Sequence, residues 1–185
     1  MAATESNMIP LGTKAPDFAL LEPSTGKVRG LYELKSSKAT LVMFICNHCP
    51  FVKHINEGLV ALANDYMEKG VSIIAISSND AEAYPNDSPE KMAEVADLLK
   101  YPFPYLYDQT QEVAKAYDAS CTPDFFLFDG ELSLVYRGQL DSSRPSNGIP
   151  VTGEDIRAAI EAVLNGNKPT AKQIPSIGCS IKWKG

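Results

Sequence analysis

The segment ATLVMFI, residues 39–45, is an unbroken apolar run with β-branched and aromatic members. A strand with one wet face alternates apolar and polar side chains, so a continuous run suits a strand covered on both faces. A second such run, VSIIAIS, occupies 71–77. Between them Phe51, Ile55, Leu59, Leu62 and Tyr66 recur every three or four residues and fall on one face of a helix. Pro50 fits the first turn of that helix, where its missing N–H costs nothing.

Further elements extend the alternation. APDFALLEPSTGKVRGLYEL reads as a short strand, a turn at Ser24 to Gly26 and a second strand through Val28. Ser88, Pro89 and Glu90 give a cap, a proline and an acidic first turn to a helix through KMAEVADLLK. YPFPYLYD holds a short strand and TQEVAKAYD a short helix. Residues 124–138, DFFLFDGELSLVYRG, read as a hairpin turning at Asp129-Gly130. TGEDIRAAIEAVLNG is the last helix, capped by Thr152 and ending near Gly166. The tail NKPTAKQIPSIGCSIKWKG has no helical period. Together these predict an α/β fold, a central mixed sheet with helices on both faces.

At 185 residues the chain suits one domain with a sizeable core. A net charge of -6 argues against nucleic-acid and anionic-membrane partners, which call for basic surfaces. No transmembrane span is predicted, since the longest strongly apolar stretch runs only from Leu41 to Cys46. The start MAATESNMIPLG lacks a basic n-region and a hydrophobic h-region, so a cytoplasmic location is the expectation. Four cysteines are too few for a disulfide scaffold in a chain of this length.

The first apolar strand runs into FICNHCPFVKH, residues 44–54, which holds two of the cysteines and both histidines. Open α/β sheets place their chemistry where strands hand over to helices. A helix N-terminus carries unpaired N–H groups and about half a positive charge, which favours a thiolate. Cys46, the first sulfur, is the expected nucleophile, and Cys49, one turn on, can resolve a mixed disulfide. His48 as imidazolium would favour the Cys46 thiolate and make Cys46 more acidic than a plain cysteine. Two other readings stay open: a zinc site built from Cys46, His48, Cys49 and His54, and inert core thiols.

The C-N-H-C at the end of a strand, followed by a helix and a later CTPDFFLFD, resembles the thioredoxin superfamily. GTKAPDFAL resembles the start of its redoxin branch, the AhpC/TSA group. CNHCPFVKH, YRGQLDSSRP, PVTGEDIRAAIEA and PSIGCSIKWK together are similar to a small subfamily of thioredoxin-like redoxins. The resemblance implies a single thioredoxin-like domain over 1–185, with an N-terminal β extension and a C-terminal tail, 165–185, docked on it. It also implies a cis peptide at Thr122-Pro123, facing the cysteine pair, with the Thr122 backbone pairing with an extended substrate strand.

Departures from the family pattern sit at the reactive positions. Cys46 replaces the threonine of the peroxiredoxin T-x-x-C, whereas Cys49-Pro50 keeps its second half. Thr122-Pro123 stands where peroxiredoxins carry an arginine, leaving Arg137 on the neighbouring strand as an alternative guanidinium. Thr40 takes the place of the buried aspartate of thioredoxins.

The expected activity is thiol–disulfide exchange by a Cys46–Cys49 couple tuned by His48, with Thr122 and Pro123 holding substrate. Cys121 and Cys179 are further redox candidates. Protein or small-molecule thiols and disulfides are the substrates and a partner dithiol the reductant, with no organic cofactor and no resident metal expected. Asp141 to Arg144 read as a solvated loop and His54 as a helix-surface residue. Alternatives are a thiol-dependent peroxidase and a non-catalytic zinc-binding module of the same fold.

Overall fold

The two apolar runs lie side by side and parallel at the centre of the sheet. In the computed structural model, which describes residues 2–185, the chain opens with β1 (Ala3–Glu5), β2 (Ala19–Glu22), β3 (Lys27–Gly30) and α1 (Leu31–Leu34). The central unit follows as β4 (Ala39–Phe44), α2 (Pro50–Met67), β5 (Val71–Ser77), α3 (Pro89–Leu98) and β6 (Tyr105–Tyr107). Next come α4 (Glu112–Ala116), β7 (Cys121–Thr122), β8 (Asp124–Asp129) and β9 (Leu134–Arg137). The chain closes with α5 (Glu154–Leu164) and β10 (Ile177–Ser180).

Seven strands form a mixed sheet in the order β3-β2-β6-β5-β4-β8-β9. β4 pairs parallel with β5 and antiparallel with β8, and β5 pairs parallel with β6. Successive side chains of a strand point to opposite faces. Leu41 and Met43 therefore join Ile73, Phe125 and Leu127 under α2 and α5, whereas Val42 and Phe44 join Ile74, Ile76 and Phe126 against Leu31 and Tyr117. Both faces are covered, which is why every residue of β4 is apolar or buried.

A second, three-stranded sheet has the order β1-β10-β7. The chain's two ends meet here: Ala3 pairs with Cys179, and Cys179 pairs with Thr122. β10 approaches β7 so closely that a Cβ on Gly178 would lie 1.9 Å from the Thr122 carbonyl oxygen, so only glycine fits. Asp80 N and Gln111 Nε2 both donate to Lys182 O, at 2.8 and 2.9 Å, and hold the segment that follows β10.

Two expectations need correction. α5 is capped by Gly153, in the left-handed region at φ 71°, and not by Thr152. The loop at Asp141 is only partly solvated: Ser142 is exposed, but Asp141 and Ser143 are buried, and Asp141 Oδ2 accepts the Thr152 and Gly153 N–H groups at 2.8 and 2.7 Å. A carboxylate there favours the positive end of α5. Among the described residues, no helix is long and apolar enough to cross a membrane.

Candidate active site

β4 ends at Phe44, and Ile45 N still bonds back to Ile76 O at 3.0 Å. The chain then turns through Cys46, Asn47 and His48 to Cys49, the N-cap of α2, with Pro50 at its first position. Cys49 O accepts Lys53 N at 2.9 Å, the first bond of the helix. The apolar run and the proline thus place one cysteine on each side of a strand-to-helix corner. Both are nearly inaccessible, Cys46 at 2% and Cys49 at 0% exposure, and all four cysteines are free thiols.

Thr122 faces this corner from β7, and its peptide bond to Pro123 is cis. Cys49 Sγ as a thiol donates to Thr122 O at 3.3 Å, and Cys46 Sγ lies 3.5 Å from Thr122 Oγ1. Cys46, Cys49 and, from β10, Cys179 share one buried core, and the other two thiols both act on the Cys49 sulfur. Cys121, the neighbour of Thr122 on β7, instead donates to Pro123 O at 3.6 Å. Alternation along the strand separates it from the other three, which share one face of the core.

The hydrogen bond from Cys46 holds the Cys49 thiol well below the ordinary cysteine range. Burial opposes that, while the Cys179 thiol, the Val52 N–H in the first turn of α2 and Thr122 add to it. Cys46 moves up because it gives its proton to Cys49, is buried and faces the Asp87 carboxylate. Cys179 is pushed up by burial and by its bond to Cys49. Cys46 is thus raised, against the expectation that it is more acidic than a plain cysteine. The helix terminus acts through the capping position, and that position belongs to Cys49.

His48 also differs from expectation. Its Nδ1 lies 2.5 Å from Asp87 Oδ2, close but without hydrogen-bond alignment, and its ring stacks on Tyr84 at 5.6 Å. The group beside it is the Asp87 carboxylate, and the charge that reaches Cys46 from this corner is Asp87's negative one. Asp87 is fully buried and accepts Asn47 N at 2.8 Å and Asn79 Nδ2 at 2.9 Å. Sequence reasoning missed it, because NDSPE reads as a helix start and nothing in its spacing ties it to a cysteine 41 positions earlier. The usable signal was its place after β5, at the same sheet edge as the cysteine pair.

Cys46 Sγ, a His48 ring nitrogen and an Asp87 oxygen lie within 4.8 Å of one another, a spacing that could hold a metal ion. The zinc set read from the sequence is not assembled: His54 Nε2 sits 2.5 Å from Ser143 Oγ, outside that group. Arg137 is not free to meet a peroxide. It is fully buried, its guanidinium doubly bonded to Asp124 and packed 3.9 Å over Phe126.

The sequence matches the AhpC/TSA family over residues 11–137. The chain belongs to that family. A crystal structure of an uncharacterized conserved protein from Geobacillus kaustophilus is similar to this AhpC/TSA protein over its whole length. The two share 68% identity with a TM-score of 0.98, covering 100% of this chain and 97% of the other. The thiol–disulfide oxidoreductase ResA of the same organism is 27% identical over 86% of this chain and 82% of its own. The thioredoxin domain of a thiol–disulfide oxidoreductase from Bacteroides vulgatus shares the fold, with a TM-score of 0.59 and 21% identity over 71% of this chain and 91% of that one. The fold of this AhpC/TSA protein is thus thioredoxin-like, its central mixed sheet flanked by helices.

Proposed function

We propose that this AhpC/TSA protein is a thiol–disulfide oxidoreductase that cycles a Cys46–Cys49 dithiol and disulfide. The observation that carries this reading is that both thiols face Thr122 at the N-terminus of α2, where Cys49 takes the capping position and is the more acidic member. Its thiolate attacks a substrate disulfide, forms a mixed disulfide and releases one substrate thiolate. Cys46 then attacks the Cys49 sulfur, closing the 46–49 disulfide and releasing the second substrate thiol. A partner dithiol returns two electrons and two protons. The order of attack is thus the reverse of the one the spacing suggests. His48 and Asp87 stand beside Cys46 to take its proton in the closing step. Thr122 and Pro123 form the wall against which the reacting sulfurs are held.

A peroxidase reading draws on the same Cys49 acidity and on the family match. The pairing of Arg137 with Asp124 weighs against it, because no guanidinium from that strand is left to polarise a peroxide. Insulin-disulfide reduction and peroxide consumption, each measured on wild type, Cys46→Ser and Cys49→Ser, separate the two. The oxidoreductase reading expects insulin reduction by wild type, none by Cys49→Ser, and no 46–49 bridge in Cys46→Ser. Wild-type protein that consumes peroxide but leaves insulin intact would point to the peroxidase. Inactivity in both assays with bound zinc would point to the metal module.

A further inference from the structure

Neither active-site cysteine reaches solvent, yet the protein's own tail sets a third cysteine opposite Thr122, the residue that faces both. We propose that Cys179 is an internal redox partner of Cys49, so that the C-terminal strand serves as a second resolving arm and forms a Cys49–Cys179 disulfide. This deepens the oxidoreductase reading and rests on it.

The placement comes from backbone register. Cys179 lies opposite Thr122 in the antiparallel pairing of β10 with β7, and Thr122 O is the acceptor of the Cys49 thiol. One residue of β7 therefore fixes both sulfurs. Cys46, Cys49 and Cys179 bury into a single cluster, while Cys121 does not join it. Gly178 brings the two strands together at a distance that no side chain permits. β1 holds β10 from its outer side, through Ala3, Thr4 and Glu5. Ser176 adds hydrogen bonds to Pro123 O at 2.7 Å and to Ser6 Oγ at 2.9 Å. The tail thus stands in the position where the family resemblance would seat a substrate strand, and it presents a cysteine there.

The chemistry balances without a further reagent. The Cys49 thiolate attacks a disulfide RSSR, the S–S bond breaks, and RS⁻ leaves with Cys49 held as Cys49–S–SR. Cys179, having lost its proton to solvent or to RS⁻, attacks the Cys49 sulfur. The second RS⁻ leaves and the 49–179 bond forms, so that two electrons have passed from the protein to RSSR. Cys46 can then attack Cys49, moving the bridge to 46–49 and returning Cys179 to the thiol with no net transfer of electrons.

The test uses the full-length Cys46→Ser/Cys121→Ser variant, which retains only Cys49 and Cys179, and 5,5′-dithiobis(2-nitrobenzoate) as the disulfide. The expected result is release of two nitrothiobenzoate ions per chain, no residual adduct mass, and a cross-linked peptide joining 49 to 179. Adding Cys179→Ser should halve the release and leave a stable adduct on Cys49. A persistent adduct on Cys49 with Cys179 free overturns the proposal, as does an unreactive variant beside a reactive wild type. The alanine pair Cys46→Ala/Cys121→Ala repeats the measurement without placing hydroxyls in the core. Failure of the wild type itself to form a 46–49 bridge would instead strike the oxidoreductase reading.

Discussion

Cys179 and Thr122 are directly opposed in the ladder between β10 and β7, so a strand from the end of the chain closes over the residue that faces both active-site sulfurs. Contact this close depends on Gly178, whose missing Cβ would lie 1.9 Å from Thr122 O and 2.5 Å from its carbonyl carbon. Gly178→Ala must push β10 off β7. Overpacking of this kind costs about 1–3 kcal/mol, and each kcal/mol lowers Tm by roughly 2–4 °C for a chain of this size. Thermal melting should show the loss, and timed maleimide labelling with peptide mapping should show faster modification of Cys49. Unchanged melting with unchanged labelling would mean that the tail does not shield the site.

The thiol cluster predicts an unusual titration. Cys49 is lowered to about 4, while Cys46 and Cys179 are raised, so one thiolate per chain should absorb at 240 nm at neutral pH. That absorbance should fall as the pH is lowered through the Cys49 value, because protonation removes the anion. Cys49→Ser should abolish it. Cys46→Ala removes the largest lowering influence, a hydrogen bond to a charged group worth about 1.5–3 kcal/mol. At 1.36 kcal/mol per unit the midpoint should rise by roughly 1–2 units. A neutral-pH spectrum without thiolate would contradict the assignment of acidity to Cys49.

The parts of the fold legible in the sequence are those whose burial is periodic. The β4 and β5 runs and the α2 stripe announce themselves, because each buries a continuous or regularly spaced apolar face. β10 is four residues, Ile-Gly-Cys-Ser, and carries no such signal; its place is set by close backbone approach at Gly178. Asp141 looked like a loop residue because its partners are backbone N–H groups, which leave no trace in side-chain pattern. The cysteine pair and Thr122-Pro123 were visible as motifs. What the motifs could not tell was which sulfur caps α2, or that a buried carboxylate from the loop after β5 stands next to Cys46.

Arg137 is predicted to be structural. Its guanidinium bonds both Asp124 oxygens and Phe125 O, the last at 3.1 Å, in a site with no exposure. Burial raises the Asp124 carboxyl, and the arginine works against that shift. Removing one partner strands the other charge, so Arg137→Met should cost about 3–5 kcal/mol. The double variant Arg137→Met/Asp124→Asn leaves no stranded charge and should recover a substantial part. Urea unfolding midpoints decide this. A single variant as stable as wild type would show the pair to be dispensable.

Asp87 supplies the sharpest test of how the 46–49 disulfide closes. To attack the mixed disulfide on Cys49, Cys46 must lose a proton that burial and the Asp87 charge both favour keeping. The same carboxylate and His48 both lie within 4.8 Å of Cys46 Sγ, placed to receive it. Asp87→Asn keeps an oxygen for Asn47 N but removes the charge, which should ease ionisation of the resting Cys46 thiol. If the carboxylate and its histidine take the proton during attack, closure should nevertheless slow by roughly 10²-fold, the lower end of general-base contributions. Quenched-flow reaction with oxidised glutathione in a Cys179→Ser background, followed by mass spectrometry, should then show the Cys49 mixed disulfide accumulating with Asp87→Asn and not without it. Closure that is equal or faster in the variant would mean that Asp87 acts only to restrain Cys46.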